Sequence, residues 1–182
     1  MSDSFDTNAP LLESSVLTLR ALRVDDAPAV FAYASDPEVA RYTLWPHHES
    51  EDQTRSFLRM LTGPDILSWA ILLREGAQLE GIVFLHSLSR HHQRAEIAFS
   101  IARGRWGRGI ATEAARLVLR FSFEHFGLNR VEATCMPGNA ASRRVLEKLG
   151  MSREGRMRRS HFRYDGFHDM DLFSILRDEA AG

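Results

Sequence analysis

The stretch Arg103-Gly104-Arg105-Trp106-Gly107-Arg108-Gly109-Ile110-Ala111-Thr112-Glu113-Ala114 decides how the rest of this chain is read. Just before it, Ala95-Glu96-Ile97-Ala98-Phe99-Ser100-Ile101 alternates as a strand does, with Glu96 and Ser100 on the off-phase face. Just after it, Ile110, Ala114, Leu117, Val118 and Phe121 recur at helical spacing. The pattern predicts a strand, a turn with three glycines in six residues, and a helix that begins at once. Glycines let backbone approach a ligand closely, and a fresh helix offers unpaired N–H groups at the positive end of its dipole. Such a junction suits an anion, above all a phosphate or pyrophosphate. Arg103, Arg105 and Arg108 add positive charge with no acid beside them in sequence.

Two common phosphate motifs are excluded. The P-loop requires Gly-Lys-Ser/Thr, and the only lysine of the chain is Lys148. The dinucleotide fingerprint requires a third glycine where Thr112 stands. Taken alone, the glycines also fit a plain strand-to-helix turn with solvated arginines.

Working outward, Val16–Leu22 reads as a first strand, and Asp26 with Pro28 opens a helix to about Ala34. Ser50 and Gln53 have capping-box spacing before Phe57, Leu58 and Leu61, and Gly63-Pro64 ends that helix. Ile66–Leu73 and Ile82–Leu88 form a hairpin around a polar turn. Arg130–Cys135 is a short strand, and Ala141, Val145, Leu146 and Leu149 stripe a helix stopped by Gly150. Arg156–Phe162 and His168–Leu176 flank the turn signal Asp165-Gly166. The result is a mixed α/β chain of about seven strands, mostly antiparallel, and four helices.

The chain has 182 residues, 44% apolar and 26% charged, with net charge −1. These values fit one domain, expected over residues 11–182 behind a loose polar tail at 1–10. Charge balance gives no general attraction to nucleic acid or anionic membrane. One cysteine, Cys135, excludes an internal disulfide and a cysteine-based zinc cage. No apolar run approaches the ~20 residues of a membrane span, and the N-terminus is unlike a signal peptide, so a cytoplasmic protein is expected.

From Ala95 to Met151 the sequence resembles the GNAT superfamily of acetyl-CoA-dependent N-acetyltransferases, and within it the RimJ/RimL-like branch. The family loop R/Q-x-x-G-x-G/A lies over Trp106–Ala111, with Trp106 for Arg/Gln, and the branch's W-G-K/R-G-x-A-T-E-A matches every fixed position from Trp106 to Ala114. Glu96-Ile97-Ala98-Phe99 resembles E-I-G-Y. Asn139 to Ser142 and Glu147 to Met151 resemble N-x-x-S and E-K-L-G-F, with Met151 for Phe. The resemblance implies the GNAT fold, a central twisted sheet flanked by helices, and acetyl transfer from acetyl-CoA to a primary amine.

Residue by residue, it implies that backbone N–H groups of Gly107, Arg108, Gly109, Ile110, Ala111 and Thr112 cradle the CoA pyrophosphate. Phe99, Ser100 and Ile101 would pair their backbone with the pantetheine arm as an added strand does, and an N–H of that strand would polarise the acetyl carbonyl. Asn139 would bond the pantetheine or hold its own turn. Glu96, a carboxylate on a mostly apolar strand, is the candidate general base, acting through water. The family's usual acid is a tyrosine at the position of Leu146, which cannot donate a proton. Ser142 is then the candidate acid, unless water serves or Ser142 merely bonds the helix backbone.

In this branch the acceptor is often the α-amine of a protein N-terminus, commonly ribosomal. An α-amine, with a pKa near 8, loses its proton far more easily than lysine near 10.4. Small amines such as polyamines, amino acids and aminoglycosides are the alternative, and a non-catalytic acyl-CoA-binding module a further one. No metal is expected: His47-His48 and His91-His92 are adjacent pairs in polar loops whose rings should point apart. Arg153, Arg156, Arg158, Arg159 and Arg163 are expected on a solvated face opposite Asp165, Asp169 and Asp171, without direct nucleic-acid binding. Tyr42 and Trp45-Pro46 lie where this family shapes its acceptor cleft and equally fit core and loop packing, Cys135 reads as a small buried hydrophobe, and a monomer or homodimer is expected.

Overall fold

The structure is a computed structural model that describes residues 9–180 apart from residue 77. Eight strands form one sheet: β1 (Leu12–Glu13), β2 (Leu17–Ala21), β3 (Leu67–Leu73), β4 (Leu79–Ser89), β5 (Arg94–Ile101), β6 (Arg130–Cys135), β7 (Ser152–Arg163) and β8 (Gly166–Leu176). Their spatial order is β1-β2-β3-β4-β5-β6-β8-β7. Every neighbouring pair is antiparallel except β5 and β6, which run parallel. A parallel pair needs a crossover, and the amphipathic helix α4 (Ile110–Glu124) supplies it.

Alternation along the central strands sorts the core into two layers. Trp69, Ile71, Val83, Leu85 and Ile97 pack with Ala114 and Val118 of α4 on one side of the sheet. Ala70, Ile82 and the half-buried Phe84 pack on the other side with Val30 and Tyr33 of α1 (Ala27–Ala34) and with Leu58 and Leu61 of α3 (Glu51–Leu61). Helix α5 (Ala140–Lys148) lies on the α4 side, where Leu146 joins the same cluster as Phe173.

Local chemistry explains the helix starts. Ser50 Oγ accepts the Gln53 N–H at 3.2 Å at the head of α3. The Gln53 side chain reaches back to the N–H of Glu49, at 2.8 Å, one residue earlier than the usual capping box. Asp26 stands at the N-cap of α1 as expected, but its carboxylate does not cap the helix. It grips Arg20 of β2 at 2.6 and 2.8 Å and accepts the Arg23 N–H at 2.8 Å, tying strand to helix.

The sheet has one strand, and the chain one helix, more than the sequence pattern predicts. Strand β1 is two residues long, and α2 (Pro37–Ala40) is four, begun by Asp36 accepting the Glu38 N–H at 2.9 Å. Neither is long enough to show a period. The hairpin turn falls one residue earlier than expected, on Tyr164-Asp165, with Gly166 (φ 126°) opening β8. Of the expected tail, residues 1–8 lie outside the described residues. Pro10 is anchored, its carbonyl accepting the Trp69 indole N–H at 2.8 Å.

Candidate functional site

The sheet opens between its two parallel strands. Strands β5 and β6 pair only at Arg94 with Arg130, Ala95 with Val131, and Glu96 with Glu132. Beyond Glu96 they part, so residues 97–101 keep β4 on one edge and, among the described residues, have no strand on the other. An edge of this kind presents backbone donors and acceptors to an extended ligand. Phe99, Ser100 and Ile101 all lie on it. The Ile101 carbonyl also accepts the Trp106 indole N–H at 2.8 Å, which fastens the loop to the strand end and leaves the ring half exposed.

The glycine loop stands at the far end of this edge. Gly107 and Gly109 have φ of 75° and 80°, a left-handed backbone that glycine adopts without strain. Gly109 is also the N-cap of α4, and it has no side chain to satisfy the first turn's N–H groups. The loop and first turn from Gly107 to Thr112 thus have the local geometry that an anion-binding junction requires. The charge around it is smaller than expected. Arg103 pairs with Asp36 at 3.6 Å and Arg105 with the buried Glu80 at 2.7 Å. Of the three arginines, Arg108 alone has no acidic partner among the described residues.

Glu96 is the last paired residue before the opening, at its narrow end. Its Oε1 accepts the Thr134 hydroxyl from β6 at 2.8 Å, and its Oε2 lies 4.0 Å from Nε2 of His86 on β4. Four residues along β5, the Ser100 hydroxyl lies 3.2 Å from that of Tyr33, a buried α1 residue whose phenol is held above its usual pKa by burial. Across the opening, Asn139 N-caps α5 by accepting the Ser142 N–H at 3.0 Å. Among the described residues the Ser142 hydroxyl has no partner, so it does not bond the helix backbone. Leu146 is buried in the core. Thr134, His86 and Tyr33 escaped sequence reasoning because each reaches the site from another element.

Distant segments also form a cleft at the β6–α5 turn that precedes Asn139. Arg41, Tyr42, Met136, Pro137, Gly138, Arg163, His168 and Asp169 line this open cleft of about 480 Å³. Tyr42 lies against Gly138, where an added Cβ would meet its ring at 3.4 Å. Arg163 clamps the wall by donating to the Arg41 carbonyl at 2.7 Å and to Asp165 at 2.6 and 2.7 Å. The arginine run is largely paired: Arg153 and Arg156 flank the buried Asp171, at 2.7 and 3.0 Å, and hold its carboxyl down to about 2.

Two expectations about histidines need correction. His48 is buried rather than in a polar loop: its ring packs between Trp45 and Phe57, with Nδ1 2.8 Å from Thr54 Oγ1. Burial, then the neighbouring His47, lowers its pKa. Trp45 is thereby a packing residue of that cluster. The His91 and His92 rings meet edge to face at 4.7 Å instead of pointing apart. Among the described residues no group of three or more His, Cys, Asp or Glu is placed to hold a metal. Cys135 is buried, its thiol pushed up to about 11 mainly by burial and then by Asp171. No helix among the described residues is long and apolar enough to cross a membrane.

A sheet parted between parallel strands, beside a helix start without a side-chain cap, offers an extended, phosphate-bearing ligand both a strand edge and an anion site. Residues 16–152 match the Acetyltransferase (GNAT) domain family. The uncharacterized N-acetyltransferase YoaA of Bacillus subtilis (strain 168) is 33% identical over 172 residues, covering 92% of this chain and 97% of YoaA. A GNAT-family acetyltransferase from Bacillus anthracis superposes with a TM-score of 0.84 at 29% identity, over 93% of this chain and 99% of that one. The ribosomal-protein-serine acetyltransferase of Escherichia coli (strain K12) is 23% identical over 138 residues, 74% of this chain and 76% of its own length. The chain belongs to the GNAT family: it is an N-acetyltransferase, and its acetyl donor is acetyl-CoA.

Proposed function

We propose that this enzyme acetylates the α-amine at the N-terminus of a protein, in the first place a ribosomal one, as a member of the RimJ/RimL-like branch. The observation that carries this reading is the shape of the acceptor side. The cleft under Tyr42 is open to the surface and walled by three separate segments, which suits the end of a chain better than an enclosed small amine. The name of the Escherichia coli relative supports the same class of acceptor.

In this reading the N–H groups from Gly107 to Thr112 hold the pyrophosphate, and the free edge at Phe99, Ser100 and Ile101 holds the pantetheine arm. The acetyl group then lies in the opening near Glu96. The amine nitrogen attacks the carbonyl carbon, and its proton leaves to Glu96. The C–S bond breaks, and the departing thiolate takes a proton from Ser142, which regains one from water; its hydroxyl, without a partner among the described residues, suits that task. Asn139 holds the turn that presents Ser142.

The test is release of free thiol from acetyl-CoA against N-terminal peptides, spermidine, free amino acids and aminoglycosides. Peptide turnover that depends on the first residue is expected. Turnover of small amines alone would move the acceptor to metabolism or detoxification. Tight acetyl-CoA binding without any turnover would favour a non-catalytic module.

A further inference from the structure

We propose that His86 receives from Glu96 the proton taken off the acceptor amine and passes it on to solvent. The inference rests on the reading of Glu96 as the base. A base at the closed end of the opening has to be unloaded once per turnover, and the two oxygens of Glu96 have unequal surroundings. Oε1 is engaged by the Thr134 hydroxyl at 2.8 Å, which fixes the carboxylate plane. Oε2 is left facing Nε2 of His86 at 4.0 Å.

His86 is the cross-strand partner of Glu96, so both side chains leave the same face of the sheet. Its ring lies beside Phe84, with centroids 5.6 Å apart, which restrains it. Its second nitrogen, Nδ1, is 3.0 Å from the hydroxyl of Ser87, and Ser87 is exposed. With one water bridging the 4.0 Å from Glu96 Oε2 to His86 Nε2, the path through His86 Nδ1 to Ser87 Oγ leads from the opening to solvent. Imidazole suits such a path because it takes a proton at one nitrogen and gives one up at the other.

The backbone supports the assignment. The β4–β5 register slips between His86 and Ser89, and Ser87 has φ 53°, a left-handed conformation unusual for a residue other than glycine. A bulge re-aims side chains and is common beside active sites. Other charges on this face are occupied with one another: Glu132 pairs with Arg94 at 3.1 Å and with Arg130 at 2.7 Å, and Arg130 with Glu154 at 2.6 Å. Among the described residues the only ion-pair partner of His86 is Glu96.

The step balances. The amine proton moves to Glu96 Oε2 as the C–N bond forms, then through a water bridging the 4.0 Å gap to His86 Nε2, while the Nδ1 proton leaves through Ser87, and exchange with solvent returns the imidazole to its starting tautomer. The thiolate released as the C–S bond breaks is protonated separately, so amine and thioester give amide and thiol.

The test compares His86→Gln, His86→Ala and Glu96→Gln in the full chain with acetyl-CoA and the best acceptor of the panel above. Both His86 variants should keep the wild-type KM for acetyl-CoA and lose about tenfold in kcat, a fraction of the effect of a general base itself. Added imidazole should restore His86→Ala and leave wild type unchanged, a response that a packing role does not give. If Glu96→Gln is slow but both His86 variants match wild type at every imidazole concentration, the relay is overturned and the base stands. If Glu96→Gln is as fast as wild type, the base reading fails and the relay fails with it.

Discussion

In the proposed reading the donor end and the acceptor end of the site meet at the opening in the sheet, yet they are made differently. The proposed donor end is a continuous run from Glu96 to Thr112, and most of what it offers is backbone: a strand edge without a partner among the described residues and a helix start that has glycine in place of a side-chain cap. The proposed acceptor end is lined by residues of the loop after α2, the β6–α5 turn and the β7–β8 hairpin, brought together by contacts such as Arg163 with the Arg41 carbonyl. Backbone shape follows from local sequence, so the donor end is common to a family. Side chains from distant segments vary independently, so the acceptor end is where members can differ.

The largest expected effect lies where the two ends meet. Glu96→Gln should lower kcat by about 10² to 10⁴, the usual range for loss of a general base, with the KM for acetyl-CoA unchanged. Steady-state kinetics in both substrates checks this, and a rise in acetyl-CoA KM instead would place Glu96 on the donor side. Next is Gly109→Val. A β-branched residue held at φ 80° costs at least the 1–2 kcal/mol of a left-handed residue, and its side chain enters the anion junction. Acetyl-CoA affinity measured by calorimetry should fall about tenfold or more, while acceptor KM at saturating acetyl-CoA stays the same.

Tyr42→Ala should do the reverse, raising acceptor KM by about three- to tenfold through loss of a half-buried aromatic contact, with acetyl-CoA affinity untouched. A matching loss of acetyl-CoA affinity would erase the division between the ends. The smallest effect is on pH. Burial depresses the pKa of folded His48, so its contribution to stability is complete above its unfolded value of about 6.5 and is lost as pH falls through the lower folded value. Melting temperatures at pH 7.5 and 5.5 should therefore show a drop in wild type that is smaller in His48→Asn.

The same division explains what could be read from sequence. The glycine loop, the α4 stripe and the Asn139 cap were legible because their residues are adjacent or one helical turn apart. The pairing of Arg105 with Glu80 spans 25 positions and that of Tyr33 with Ser100 spans 67, so the arginines looked free and the tyrosine went unnoticed. His48 was misread for a similar reason. Beside Pro46, His47 and Glu49 it looks like loop, and only α3 folding back with Phe57 and Thr54 makes it core.

Amide hydrogen exchange with and without acetyl-CoA tests most directly whether one opening in the sheet holds the donor by its backbone. The account predicts slowed exchange in two segments together, residues 97–101 and Gly107 to Thr112, with the β7–β8 turn unchanged. The protection should disappear in Gly109→Val at the same acetyl-CoA concentration. Protection confined to the cleft under Tyr42, or equal protection in wild type and Gly109→Val, would contradict it.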